Sequence, residues 1–591
     1  MVTKNVNSNN FRSSLGIKNQ YDKNSVFKSP DQWLEDKKKF DGAEGLWRIH
    51  DRLYDLTNFI DIHPGGQFWL NVSKGLDITE AFESYHISKK PEKMLKQFFV
   101  RKAVTPRNSP FTFKEDGFYK TLKRNVREVW DDIPKNGIQR SKYIIDTLLI
   151  SSIILVVLAT KFSNYFIAII AGILLSLVNT SAHNYYHQKD TFRNCYGYLG
   201  MSAARDWKII HVFSHHFHPN SVLDIQVYLV QPFLQFYPHK KSITLKYLSY
   251  IYGPIFVWPL LFIYTYINKI YYWVVIGRTN HISKLDLLPC VIPTLTYLIT
   301  NQPLLLVLKM WLFVILVAGF CFTFVGITTT HYHPNIFIDG DKPRSEDEMD
   351  WGINQLDTVG DRVEIQGSHF FGMVLFGDHA IHHLFPSLDH GLLEHLYPVV
   401  EKTLQQFNLS IRVSSSLDMI RGYFLLLSKE VGAKTKKAYY LLQVMQRTVP
   451  YINALGLPEE NLPKPLQEEE SEQFLNSEDI LLVTPTPASL PLPTSTPPPL
   501  SPLPSTPTQK QSGQSLSKRS RKLKNDAVEK TLIGYVKNAR TELSHVRHMQ
   551  EPKAEALKML LLSMLPDLRK MYDGGVRTFK HKALETVDSI F

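Results

Sequence analysis

The sequence predicts a mainly α fold: a small α+β head, a four-span all-α membrane body, a disordered proline-rich linker and a short C-terminal helical motif. Three observations carry this. Long uncharged runs are gathered between residues 143 and 327, short apolar stretches broken by turns fill residues 41–103, and proline recurs through "TPTPASLPLPTSTPPPLSPLPSTPTQ". At 591 residues the chain is too long for one compact core. The hydrophobic share of 44% averages polar ends with an apolar middle.

Residues 1–40 form a polar N-terminal tail without the apolar core of a secretory signal, which places this end in the cytosol. Residues 41–103 read as a soluble domain punctuated by "HPGG". Between Arg101 and Lys142 eleven lysines and arginines face five acids, so this stretch is expected on the cytosolic side of the first span. "YIIDTLLISSIILVVLAT" (143–160) and "FSNYFIAIIAGILLSLVNT" (162–180) then make a hairpin that returns His183 to that side. Residues 285–327 carry only Asp286 and Lys309 as charges, and Pro303 divides them into a second hairpin with a short first arm. "YIYGPIFVWPLLFIYTYI" (250–267) is interrupted by Gly253, Pro254 and Pro259 and is assigned to the interface or a re-entrant position, since a crossing would separate the histidines near 211 from those near 380.

The membrane body is expected over 140–410, followed by a cytosolic helical extension (411–454), a disordered linker (455–530) and a helical segment (531–591). A net charge of +12 is attributed to lysine and arginine beside lipid headgroups, and no nucleic acid is expected for residues 1–454. Cys195, Cys290 and Cys321 form no CxxC pair, which suits a reducing compartment.

Histidine is the informative residue. "HNYYH" (His183, His187), "HVFSHH" (His211, His215, His216) and "HAIHH" (His379, His382, His383) use spacings of three and four that share a helix face. On an α-helix His215 and His216 diverge by about 100°, which suits ligands for two different ions. Eight imidazoles exceed the four a zinc takes, and "HNYYH" lacks the glutamate of a zinc-protease helix. Two irons account for the count, with His331 of "TTTHYHPN" preferred as a ninth ligand over His333. His218 and His333 are weighed as donors orienting a neighbour. His50, His239, His281, His369, His390 and His395 are taken as ordinary hydrogen-bonded residues. In the head, His63 and His86 could close both axial positions of a haem, although by spacing alone a turn histidine and a surface histidine are the commoner explanation.

These stretches carry a resemblance. "GLWRIHDRLYDLTNFIDIHPGG" with "GLDITEAFESYH" resembles a cytochrome b5 domain, whose two haem ligands fall on His63 and His86. Residues 140–410, with the three histidine boxes, "DWGINQL" and "HHLFP", resemble a membrane fatty acid desaturase, particularly the front-end type with a fused cytochrome b5 head. The whole arrangement is most similar to the insect cytochrome b5-related proteins. Front-end desaturases usually open the third box with glutamine, whereas this chain has His379, which puts the front-end position of bond formation in doubt. "LSMLPDLRK" and "FKHKALETVDSIF" resemble a BESS motif, which implies a protein partner; an amphipathic helix pair is the equal alternative.

The resemblance implies an oxygen-dependent fatty acyl desaturase of lipid metabolism, multi-pass in the endoplasmic reticulum membrane, with haem domain and boxes cytosolic. It implies haem b, two non-haem irons, an acyl-CoA or acyl-lipid substrate, and cytochrome b5 reductase as electron source. A catalytically silent haem protein or scaffold, and a related di-iron lipid hydroxylase, are the alternatives.

Overall fold

The computed structural model describes residues 11–279, 282–329 and 331–433. The expected helical extension beyond residue 433, the proline-rich linker, the "KRSRKLK" run and the C-terminal motif lie outside the described residues, as does His281.

The described chain is mainly helical, with a small sheet in the head. Three short strands, Trp47–Ile49, Arg52–Tyr54 and Phe99–Lys102, pair antiparallel in chain order, with Trp47 opposite Tyr54 and Leu53 opposite Arg101. Helices Gln67–Ser73 and Thr79–Tyr85 pack across them. Trp47 is fully buried and its indole N–H donates to the Leu70 carbonyl at 3.1 Å, so the large ring enters the core without an unsatisfied donor. Gly66, at φ +97°, makes the turn between His63 and the helix that begins at Gln67.

Residues 11–40, read from the sequence as part of a polar N-terminal tail, fold back on the body. Ser13 Oγ and Ser14 N donate to Asp339 at 2.7 Å each. Helix Pro30–Lys38, capped by Ser29, buries Trp33 and Leu34, and the Trp33 indole donates to the Leu223 carbonyl at 3.1 Å. A few apolar side chains scattered among polar ones give this segment a docking edge that its average composition conceals.

Among the described residues, four helices are long and apolar enough to cross a membrane: Asn136–Lys161, Tyr165–Tyr186, Thr244–Val274 and Leu304–Thr328. Side chains including Val156, Ala168, Leu175, Phe262, Met310 and Val314 form a core between them. The count of four agrees with the sequence, but its membership differs. The short arm expected at 285–302 is a 3₁₀ stretch, Lys284–Cys290, continued by the α-helix Val291–Thr300. The greater rise of the 3₁₀ stretch lets these 17 residues reach roughly 29 Å. Leu288 packs at the level of Ile145 and Ala182, and at the other end the Lys161 ammonium donates to the Thr300 carbonyl at 3.3 Å.

Thr244–Val274 satisfies length and composition, yet both of its ends meet polar segments outside the long helices. At the start Lys246 pairs with Glu430 at 2.8 Å. At the end Lys28 N donates to Asn268 Oδ1 at 2.9 Å, and Arg278, just beyond, pairs with Glu35 at 3.1 Å.

The histidine-bearing segments sit where the long helices emerge. Gly137 and Gly391 meet so closely that a Cβ on Gly137 would stand 2.1 Å from the Gly391 carbonyl oxygen, which brings the start of the first long helix against the chain after the third box. The head and the histidine layer share one hydrophobic core: Trp47 and Phe82 belong to the same cluster as Phe213, Phe217, Trp351 and Leu384.

Candidate metal centre and haem cavity

Each histidine box has its own local geometry. His183 lies in the last turn of Tyr165–Tyr186, and His187 caps that helix. Residues Lys208–His216 form a π-helix, where the sequence led us to expect an α-helix. Its wider turn fans His211, His215 and His216 apart, and no composition signal announces it. Helix His379–Leu384 follows Asp378, which adopts a left-handed backbone at φ +53°. That conformation costs roughly 1–2 kcal/mol. It is held by Asp378 Oδ1, which accepts from Gly367 N at 2.6 Å and from the Tyr397 hydroxyl at 2.8 Å.

The boxes converge on two groups of buried imidazoles. His183, His187, His211, His216 and His382 form one; His215, His331, His379 and His383 form the other. Within each group the candidate ligand nitrogens lie within 4.8 Å of one another. All eight box histidines are therefore present, and His331 joins the second group. His218 and His333 stay outside both. His333 instead accepts from Asn335 N at 3.1 Å and faces Asp418 at 3.5 Å.

The nitrogens are arranged in a way hydrogen bonding cannot satisfy. His183 Nε2 has His187, His211 and His382 Nε2 at 2.9, 2.7 and 3.1 Å. One ring nitrogen carries at most one proton, so these contacts bring several lone pairs together. The same holds at His331 Nε2, with His379 Nε2 at 2.8 Å and His215 Nε2 at 3.1 Å. Burial pushes His211 and His215 down to about 3 and holds His187, His216, His331, His379, His382 and His383 well below the ordinary imidazole range. Neutral imidazoles converging on two points in a buried space could hold a metal ion at each.

Polar partners aim these rings. His211 Nδ1 faces Gln226 Oε1 at 2.7 Å, His215 Nδ1 faces Asp224 Oδ2 at 2.8 Å, and His331 Nδ1 faces the Thr358 carbonyl at 2.8 Å. His383 Nδ1 faces Gln355 Oε1 at 2.9 Å, while the Gln355 amide donates to the His216 carbonyl at 3.2 Å. In each case an acceptor at Nδ1 fixes the proton there and leaves Nε2 to face the group. Gln355 and Thr358 come from helix Trp351–Thr358, which gives "DWGINQL" its role beside the boxes. Sequence reasoning missed these partners because single Asp, Gln and Thr residues carry no spacing signal.

Of the histidines read as ordinary, His50 pairs with Glu83, His239 with Gln235, His369 with Ser141, and His395 faces Glu394. His390 is closer to the chemistry than expected: its ring stands 4.6 Å from that of His382, with Nδ1 held by Asn184 Oδ1 at 2.8 Å.

The head contains a cavity of about 680 Å³ with His63 and His86 on its walls. Their ring centroids are 6.4 Å apart. Two metal–nitrogen bonds of about 2 Å plus the depth of each ring span this gap. His63 Nδ1 donates to the Gly66 carbonyl at 3.0 Å and His86 Nδ1 to the Phe82 carbonyl at 2.9 Å, which leaves both Nε2 atoms free. Burial pushes His86 down to about 4. The residues fit a haem held between two imidazoles.

That cavity is not closed by the head alone. His187, Gln188, Phe213, Phe217 and Ser387 also line it. The seam is charged as well as apolar. Glu83 of the head meets Lys120 at 2.8 Å and Lys123 at 3.0 Å on helix Phe118–Val129, and Arg107 pairs with Asp77 and Glu80 at 2.7 and 2.6 Å.

Comparison with known proteins agrees with both halves. Residues 34–104 match the family model described as cytochrome b5-like haem/steroid binding domain, and residues 160–415 match fatty acid desaturase. The chain is 38% identical over 415 residues to the cytochrome b5-related protein of Drosophila melanogaster, an overlap of 70% of this chain and 94% of that one. It is 26% identical over 443 residues to the probable Delta(5) fatty acid desaturase C of Dictyostelium discoideum, covering 66% and 92% of the two chains. Over 68 residues it is 43% identical to cytochrome b5 type B of Mus musculus, or 11% of this chain and 47% of that one. No solved structure matches the chain.

Proposed function

Since the chain belongs to the family of cytochrome b5-related proteins, a haem-type head joined to a desaturase domain, we propose that it is an oxygen-dependent fatty acyl desaturase with its own electron donor. The single observation that carries this reading is the gathering of nine buried histidines into two adjacent groups beside the haem cavity. His63 and His86 would hold haem b. The five-histidine and four-histidine groups would each hold one iron. When bound, the irons supply an oxidant drawn from dioxygen, strong enough to take hydrogen from an unactivated alkyl chain.

The protein's own residues prepare that chemistry. Gln226, Asp224, Thr358 and Gln355 fix ring orientations, and burial keeps the imidazoles neutral at physiological pH. Packing by Phe213, Phe217, Trp351 and Leu384 excludes water from the layer. The reading places the protein in the endoplasmic reticulum membrane, boxes and head cytosolic, with acyl-CoA or acyl-lipid as substrate and cytochrome b5 reductase passing electrons from reduced nicotinamide. Asn136–Lys161 with Tyr165–Tyr186, and Lys284–Thr300 with Leu304–Thr328, would be the two hairpins. Thr244–Val274 would lie along the interface, supported by the polar segments bound at both its ends. The domain limits drawn from the sequence and a protein partner for the C-terminal motif belong to the same proposal.

The test is expression in a host without the activity, followed by fatty acid profiling, with His383→Ala as control. A new double bond that depends on His383 supports the reading. A hydroxylated product, or no product from iron-loaded protein, overturns it.

A further inference from the structure

Tyr85 is the residue immediately before His86, and its hydroxyl lies 2.8 Å from Nδ1 of His187. Beside the ring contacts between head and histidine layer, this hydrogen bond joins the neighbour of a proposed haem ligand to a proposed iron ligand. His187 is buried and Tyr85 is half-buried beside it. The Tyr85 ring packs against Trp69 at 6.1 Å and Phe217 at 5.8 Å, and lies nearly parallel to the His187 ring at 6.5 Å. Both Tyr85 and His187 line the haem cavity. His187 Nε2 points the other way, 2.9 Å from His183 Nε2 in the five-histidine group. With Nε2 engaged there, Nδ1–H donates to the Tyr85 oxygen.

Among the described residues the four-histidine group has no equivalent link. Its rings are held by Asp224, Thr358 and Gln355, which belong to the body, and none of its members lines the haem cavity. The two groups are therefore unequal in their relation to the head.

We propose that Tyr85 is a positioning residue for electron entry, coupling the haem cavity to the five-histidine group through His187, so that electrons reach that group first. The proposal rests on the desaturase reading above. One electron moves per event, oxidising ferrous haem to ferric and reducing a ferric ion held by His187 to ferrous. No bond is made or broken, and the Tyr85 O–H proton stays in place. The electron is replaced at the haem by a flavoprotein reductase using reduced nicotinamide. Tyr85 acts by holding His187 in orientation and by filling the gap between the two sites with a hydrogen-bonded path.

The experiment uses the full chain loaded with haem and iron, under anaerobic conditions and without substrate. A light-driven flavin donor places one electron on the haem, and the decay of the ferrous haem absorbance is followed. Tyr85→Phe, which keeps the ring and removes the hydroxyl, is expected to slow that decay about 10-fold, while haem spectrum and midpoint potential stay as in the wild type. Because transfer occurs within one chain, partial loss of haem or iron changes its amplitude and leaves its rate readable. Tyr264→Phe, which removes a hydroxyl that donates to the Val26 carbonyl outside the haem cavity and both histidine groups, should retain the faster rate. Wild-type decay in Tyr85→Phe, or equal slowing in Tyr264→Phe, overturns the assignment. If wild-type protein with both irons shows no haem decay, the desaturase reading itself fails, a result distinct from fast decay in both proteins.

Discussion

His215 and His216 are neighbours in the chain, their rings stand 5.6 Å apart at 84°, and they face different groups. Removing each should therefore have a different effect on metal content. His215→Ala leaves three histidines in its group, and His216→Ala leaves four in the other. Analysis of non-haem iron should find His215→Ala close to one ion per chain and His216→Ala with the higher content of the two. Equal loss in both would show that the groups do not bind separately.

The partners of the rings should matter nearly as much as the rings. Gln355→Leu removes the acceptor at His383 Nδ1 and the donor to the His216 carbonyl in one step. Metal affinity or activity should fall about 10–100-fold. A metal titration of the variant checks this.

Much of this site was legible beforehand and some was not. The three boxes came from residue type and spacing, the His63 and His86 pair from the resemblance to a cytochrome b5 domain, and His331 over His333 was a preference among neighbours. Gln355, Asp224 and Tyr85 did not, because a single polar residue gains its meaning from what folding brings beside it. The same limit applies to residues 11–40, whose contacts with Asp339 and Leu223 are made across hundreds of positions in the chain. Local period cannot report a π-helix either, and the fan of His211, His215 and His216 depends on one. The long helices were the easy part, since length and apolarity are local properties, but the 3₁₀ stretch at Lys284–Cys290 needed the structure.

Metal removal should destabilise the fold. Without a cation the converged nitrogens at His183 and His331 remain buried with lone pairs facing one another. Any ion that binds only the folded state adds stability, so chelation should lower the thermal midpoint and iron should restore it. An unchanged midpoint after verified iron loss would contradict the two-cluster assignment.

Docking of the head should resist mild acid. Burial alone would raise the Glu83 carboxyl, but the His50 hydrogen bond and the Lys123 and Lys120 ammoniums outweigh it and hold the group well below its ordinary value of 4.5. A carboxyl depressed in the folded state contributes stability above its unfolded value and loses it as pH falls through the folded one. Protease protection of residues 104–117 should thus persist at pH 5 and fade only well below pH 4.5. Glu83→Gln leaves the buried Lys123 only Glu92, at 3.9 Å, as a charge partner, and should expose the same segment at neutral pH.

The central claim is that this chain holds one haem between His63 and His86 and two further irons on nine histidines. The direct measurement is haem and total metal stoichiometry on purified full-length protein, by haem absorbance and elemental analysis. The account predicts one haem and three irons per chain in all, with the non-haem iron falling on mutating His215 and His216 together and the haem retained. Haem with no additional iron, or zinc in place of the pair, would contradict it.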